Sequence, residues 1–149
     1  MKQFYSCIDG RLPAPQPEQH EISKKKATKE GGQIVFYGAE EYRVAKYQPF
    51  ILNKLNRTSG IDGVVFFTID QFCYGQTFNL KLLCNILKSN FSAHFAREDI
   101  SFNNVQEVKE KFITLSAYFH AFRRSRDISR EQVLGILSWC VYFCLFLIP

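Results

Sequence analysis

The chain has 149 residues, a net charge of +5 and a hydrophobic fraction of 46%, with fifteen Phe and seven Tyr. That length and composition fit one domain around a single core and exclude disorder over most of the chain. The five cysteines, at positions 7, 73, 84, 140 and 144, are odd in number and form no CxxC pair, so neither a zinc site nor a disulfide framework is expected.

The opening segment "MKQFYSCIDG" has too short an apolar run for a secretory signal, and a reducing cytoplasm is the expected setting. "QFYSCI" (3–8) reads as a first strand. A loop punctuated by Gly10, Pro13, Pro15 and Pro17 follows it. "EQHEISKKKATKE" (18–30) is polar and helix-prone, with Ile22 and Ala27 as core candidates and Gly31–Gly32 as the stop. "QIVFY" (33–37) is a second strand. An acidic loop leads to a short helix over 47–56, with Pro49 in its first turn. "IDGVVFFTI" (61–69) is apolar without alternation, as in a central parallel strand buried on both faces.

"QTFNLKLLCNILKSN" (76–90) spaces its apolar residues for one helical face, and "SAHFARE" (92–98) reads as a fourth strand. Val105, Val108, Phe112, Leu115, Phe119 and Phe122 repeat every three or four residues, which predicts a long amphipathic helix over 103–126. Strand and helix therefore alternate four times. The expected fold is α/β, an open and mostly parallel four-stranded sheet with helices on both faces, spanning 1–126.

The last segment, 127–149, ends in "VLGILSWCVYFCLFLIP" (133–149), which has no charge and follows four arginines. It reads as a C-terminal membrane anchor at the short limit for a span, as a buried helix or strand, or as the product of an altered reading frame. The first of these would fasten a cytoplasmic domain to the inner face of the membrane. The lysine cluster at 24–29 reads as a solvated helix face. The arginine cluster at 123–130 lacks the aromatic interleaving of a nucleic-acid surface, and no nucleic-acid partner is expected.

In an open parallel sheet, ligands bind outside the carboxyl ends of the strands. That rule gathers 6–10, 40–43, 68–71 and 97–99 at one rim rich in ionisable groups, including Asp9, Arg11, Glu41, Asp70 and Glu98. Asp9, Asp70 and Glu98 offer oxygens to magnesium, but no ligand-spacing motif accompanies them and no metal is expected. Cys7 and Cys73 are candidate nucleophiles with His20 and His94 as bases, although His94, between Ala93 and Phe95, reads rather as a hydrogen-bonded core histidine. Glu40–Glu41 suit acid–base work only if one is buried. No GxGxxG, phosphate-loop or GxSxG pattern occurs, which argues against three common α/β chemistries and leaves no cofactor to expect.

Two resemblances attach to these segments. "FYSCID", Gln19 in the first helix and "IDGVVFFTIDQFCYG" resemble the catalytic domain of serine recombinases, whose third strand ends in an Asp-Arg-Leu-Ser-Arg loop; "FITLSAYFHAFRRSRDISRE" is similar to their dimerising helix. Where that family has its arginine and nucleophilic serine, this chain reads Cys7-Ile8-Asp9, and Gln71 and Tyr74 replace the two loop arginines. The resemblance implies the fold and a homodimer through 103–126, while strand exchange is not expected because an aspartate cannot form the phosphoserine link. Separately, "GRLPAPQPEQ", "YGAEEY", "IDGVVFFTIDQF" and "SAHFARED" resemble the bacterial sporadic carbohydrate cluster proteins. This second likeness implies a role in surface-polysaccharide assembly and a sugar or sugar-nucleotide ligand, with Gln19, Glu41, Tyr42, Gln71 and Glu98 carried over to its site. The chain departs from that family at Asp70, where an apolar residue is expected.

Overall fold

A computed structural model describes residues 1–10, 12–39, 48–74, 77–111 and 113–114. The fold lies in the compact unit Met1–Phe112. Its strands are β1 (Lys2–Ile8), β2 (Gly32–Ala39), β3 (Gly63–Phe66), β4 (Cys73–Tyr74), β5 (Thr77–Phe78), β6 (Ser92–Phe95) and β7 (Ile100–Phe102). The helices are α1 (Gln16–Lys29), α2 (Gln48–Arg57), α3 (Leu80–Lys88) and α4 (Val105–Glu110).

The main sheet runs β2-β1-β3-β6-β7. β1 pairs parallel with both β2 and β3, and β3 parallel with β6. Every residue of β3 and β6 is buried, which is why neither shows polar alternation in the sequence. The expected four-stranded sheet needs correction: a fifth strand, β7, returns antiparallel to β6 and makes the sheet mixed. A two-stranded hairpin, β4–β5, also stands where the sequence pattern continues straight into α3. Of the long helix expected over 103–126, the described residues show α4 and helical Ile113 and Thr114; residues 112 and 115–126, like the apolar tail 133–149, lie outside them. Among the described residues no helix is long and apolar enough to cross a membrane.

The helix boundaries follow local chemistry. α1 carries Pro17 in its first turn and stops at Gly31, whose φ of +79° suits glycine. Asn79 caps α3 by accepting from Leu82 N at 2.9 Å, and Asn104 caps α4 by accepting from Glu107 N at 2.9 Å. Along β1 the side chains alternate between layers. Phe4 packs with Ala27 of α1 and with Val65, whereas Tyr5 Oη accepts from Lys54 Nζ of α2 at 3.2 Å. Helices thus cover both faces. On the face opposite α1, Phe66, Phe72, Phe95 and Phe102 form a chain of ring contacts, with centroids 4.6 Å apart for Phe66–Phe72 and 5.1 Å for Phe72–Phe95. Each such pair adds about 1 kcal/mol beyond the area it buries.

Two irregularities set the geometry of the sheet. A bulge in β2 leaves Val35 without a partner, since Phe4 pairs with Ile34 and Tyr5 with Phe36. Gly63 must lack a Cβ because one there would collide with Ser92 Oγ and the Ser92 carbonyl across the β3–β6 ladder.

The α1 face also buries a polar network. His94 is fully buried, with Nε2 2.8 Å from Ser92 Oγ and Nδ1 3.0 Å from Ser101 Oγ. Ser101 donates onward to Glu30 Oε1 at 2.6 Å, and Lys26 Nζ lies 2.8 Å from the same oxygen. Burial lowers the His94 pKa to about 4, against the pull of Glu30 in the other direction. A neutral ring donates through one nitrogen only. The Ser101 hydroxyl donates to Glu30 and the Ser92 hydroxyl to the Asp62 carbonyl at 3.2 Å, so the oxygen of either serine can accept the ring's single proton. His94 is therefore the hydrogen-bonded core histidine that its apolar neighbours predict. Lys26 and Lys29 both pair with Asp99, which adopts φ +55° in the turn between β6 and β7. Two lysines of the supposed solvated cluster are consequently ion-paired.

Two tests follow from this packing. Ser23, in mid-α1, is fully buried and its hydroxyl has no hydrogen-bond partner. Ser23→Ala should raise unfolding free energy by about 1 kcal/mol, from helix propensity and removal of a desolvated hydroxyl; a lower urea midpoint would mean that the hydroxyl is bonded. For His94 the folded pKa of about 4 lies below the ordinary histidine value of 6.5. The unfolded chain then takes up a proton that the folded one refuses, so stability should fall as pH drops from 6.5 towards 4. The loss amounts to about 3 kcal/mol. Urea titrations across that window should lose this slope in His94→Gln.

Candidate functional site

The parallel strands β1, β3 and β6 end at one rim, and three segments meet there. The chain leaves β1 at Asp9. It leaves β3 through Thr68 into a 3-10 turn, Ile69–Phe72, and leaves β6 through Arg97 and Glu98. Strand ends expose backbone groups that their own ladder no longer satisfies, and side chains supply the missing partners.

Gln71 is buried and bridges two strand ends. Its Oε1 accepts from Thr68 N at 3.1 Å and its Nε2 donates to Cys7 O at 3.1 Å. Gln19, fully buried on α1, grips the end of β1: Oε1 accepts from Asp9 N at 3.2 Å, while Nε2 donates to Asp9 O at 3.0 Å and to Ala14 O at 2.8 Å. Glu98 performs the same task between β6 and β3. Its Oε1 accepts from Thr68 Oγ1 at 2.6 Å and its Oε2 from Ile69 N at 3.1 Å. Thr68 Oγ1 in turn accepts from Asp70 N at 3.4 Å.

Burial raises the Glu98 pKa above its ordinary value, and the negative charge of Asp70 adds to the rise, while the bonds from Thr68 and Ile69 hold it down. A buried carboxylate kept in this way is held by donors from the next strand.

Of the residues singled out in the sequence, Asp9, Gln19, Asp70, Gln71 and Glu98 do meet at the rim. Arg11, Glu41 and Tyr42, with the Glu40–Arg43 segment, lie outside the described residues. Asp9 and Glu98 are buried and Asp70 is half-buried. Thr68, which the sequence reading places at this rim within 68–71, joins Glu98 to the turn. His20 lies not with Cys7 as a base but against Tyr37, their rings 4.8 Å apart and edge-to-face. Burial and the neighbouring Lys24 lower its pKa. Among the described residues no group of three His, Cys, Asp or Glu side chains is placed to hold a metal ion. Both glutamines bond backbone through each end of their amides, and Glu98 holds one hydroxyl and one backbone N–H.

Glu98→Ala should lower unfolding free energy by about 2–4 kcal/mol at neutral pH, because it strands the Thr68 hydroxyl and the Ile69 N–H. Glu98→Gln should cost less, since it keeps one acceptor and relieves a carboxylate that is increasingly costly as pH rises through its elevated pKa. Urea denaturation of both variants checks this. Equal stability of all three proteins would show that these bonds do not hold the rim.

Comparison of the sequence with protein-family models finds no match, and no curated protein matches it. The sporadic carbohydrate cluster resemblance accordingly has no support from either search. Solved structures do match. The N-terminal catalytic domain of TP901-1 integrase is 17% identical, with a TM-score of 0.56 over 85% of this chain and 100% of that one. A resolvase family site-specific recombinase from Streptococcus pneumoniae is 13% identical, with a TM-score of 0.56 over 97% of this chain and 99% of that one. The chain thus shares its α/β fold with an integrase catalytic domain and a resolvase family recombinase.

Proposed function

We propose that the chain is a recombinase-like domain that has left strand-exchange chemistry and acts by pairing or binding. The observation that carries this reading is the use of Gln71. It stands where the recombinase resemblance puts an arginine, and both ends of its amide are bonded to backbone at Thr68 and Cys7. A neutral amide tied up in this way stabilises no phosphate charge. Asp9, at the serine's position, has its backbone clasped by Gln19, and an aspartate there offers no hydroxyl for the phosphoserine link. The described rim carries Asp9, Asp70 and Glu98 against Arg97, a balance that opposes a phosphate-bearing ligand such as a sugar nucleotide. A glycan-assembly role rests on the motif likeness alone, and no feature of the fold favours it.

Pairing has a favourable feature. Ile113, beyond α4 in the segment 103–126, is 82% exposed, and it belongs to the segment whose apolar spacing suits an amphipathic pairing helix. Light scattering should give a mass near two chains, and Ile113→Glu should weaken the pair about tenfold or more. A strict monomer at high concentration would remove the pairing reading. Incubation with supercoiled and linear duplex DNA should yield no detergent-resistant protein–DNA adduct; an adduct abolished by Asp9→Ala would overturn the loss of chemistry.

A further inference from the structure

The two edges of the main sheet are built differently. β7 is three residues long and antiparallel, and Lys111 Nζ donates to the Ser101 carbonyl in its middle at 2.8 Å. A short edge capped by lysine is protected against further pairing. β2, at the other edge, is eight residues long, or about 27 Å, and reads Gly-Gln-Ile-Val-Phe-Tyr-Gly-Ala, without a charge or a proline. It hydrogen-bonds to β1 on one side, and among the described residues no strand pairs with its other side. Phe36 and Tyr37 are 47% and 49% exposed. Of the usual devices that blunt an edge, β2 carries only the bulge at Val35; it is long and has no charge and no proline.

What flanks this edge points to its occupant. On the α1 side, Lys24 Nζ stands 5.9 Å from the centre of the Tyr37 ring. On the α2 side, Lys54 Nζ lies 5.7 Å from the centre of the Tyr5 ring, and Tyr5 pairs with Phe36. A cation therefore stands on each side of the neutral strand. The strand itself is neutral and the charges beside it are positive, which favours a negative partner at this edge.

We propose that β2 is a docking edge for an extended acidic peptide segment, which adds as a sixth strand to the sheet. Main-chain hydrogen bonds to β2 supply the pairing. Apolar side chains of the incoming strand lie against Phe36 and Tyr37, and its carboxylates face Lys24 and Lys54. This surface is distinct from the segment 103–126, so its test is independent of the pairing reading.

The experiment uses the full chain and a fluorescein-labelled, end-blocked peptide of alternating glutamate and valine, with the lysine–valine peptide as control. Fluorescence anisotropy should show saturable binding of the acidic peptide that weakens with salt, and about tenfold or weaker binding of the basic one. Phe36→Asp and Lys24→Glu, each shown to fold by circular dichroism, should both reduce affinity for the acidic peptide. Hydrogen exchange should show new protection of amides within 33–39 when the acidic peptide is bound. Absence of binding up to about 1 mM would overturn the proposal, as would equal affinity for both peptides. It would also be overturned by self-association that Phe36→Asp abolishes, because a second copy would then be the occupant.

Discussion

Parallel strands end abruptly, and the amides and carbonyls at those ends must find partners or pay desolvation. In this chain three side chains meet that demand: Gln19 for β1, Gln71 between β1 and β3, and Glu98 between β3 and β6. Each of the three is a brace between a strand end and the segment beside it. The same geometry that gathers polar residues at one rim also lets them bond one another's backbone. Gathering alone therefore says little about catalysis, and the direction in which each amide and carboxylate points decides between chemistry and construction.

Much of the architecture was legible in the sequence. The unbroken apolar run around Val64–Phe67 announced a central strand, and the alternation of strands with helices gave the parallel order. β7 was hidden because three residues, Ile100–Phe102, carry no period, and its turn depends on Asp99 in a left-handed conformation held by lysines from α1. The β4–β5 hairpin is shorter still. The convergence of Asp9, Gln71 and Glu98 followed from strand direction alone. Their commitment to backbone did not, because it rests on side-chain torsions that no spacing rule encodes.

The polar layer beneath α1 shows a second use of the same economy. Ser92, His94, Ser101, Glu30 and Lys26 form a chain that crosses from the sheet to the helix through a region with few apolar residues of its own. α1 is the least apolar of the helices that cover the sheet, and its buried positions are Gln19, Ser23, Lys26 and Ala27. It is held by specific bonds where the opposite face is held by packed rings. Loss of one link in such a chain leaves its neighbours unpaired, so this face tolerates substitution less well than the aromatic one.

The unpaired residue at Val35 governs more than local twist. Up to Ile34 the even-numbered side chains of β2 lie with Phe4 towards α1; past the bulge the parity inverts, and Tyr37 takes that side to meet His20. Excision of that single residue would close the bulge and leave Phe36 beside Tyr5 and Tyr37 beside Ser6, each ring still in its own layer. The bulge thus absorbs one surplus residue, and the outermost strand could lose it and still present both rings to the layers they now serve.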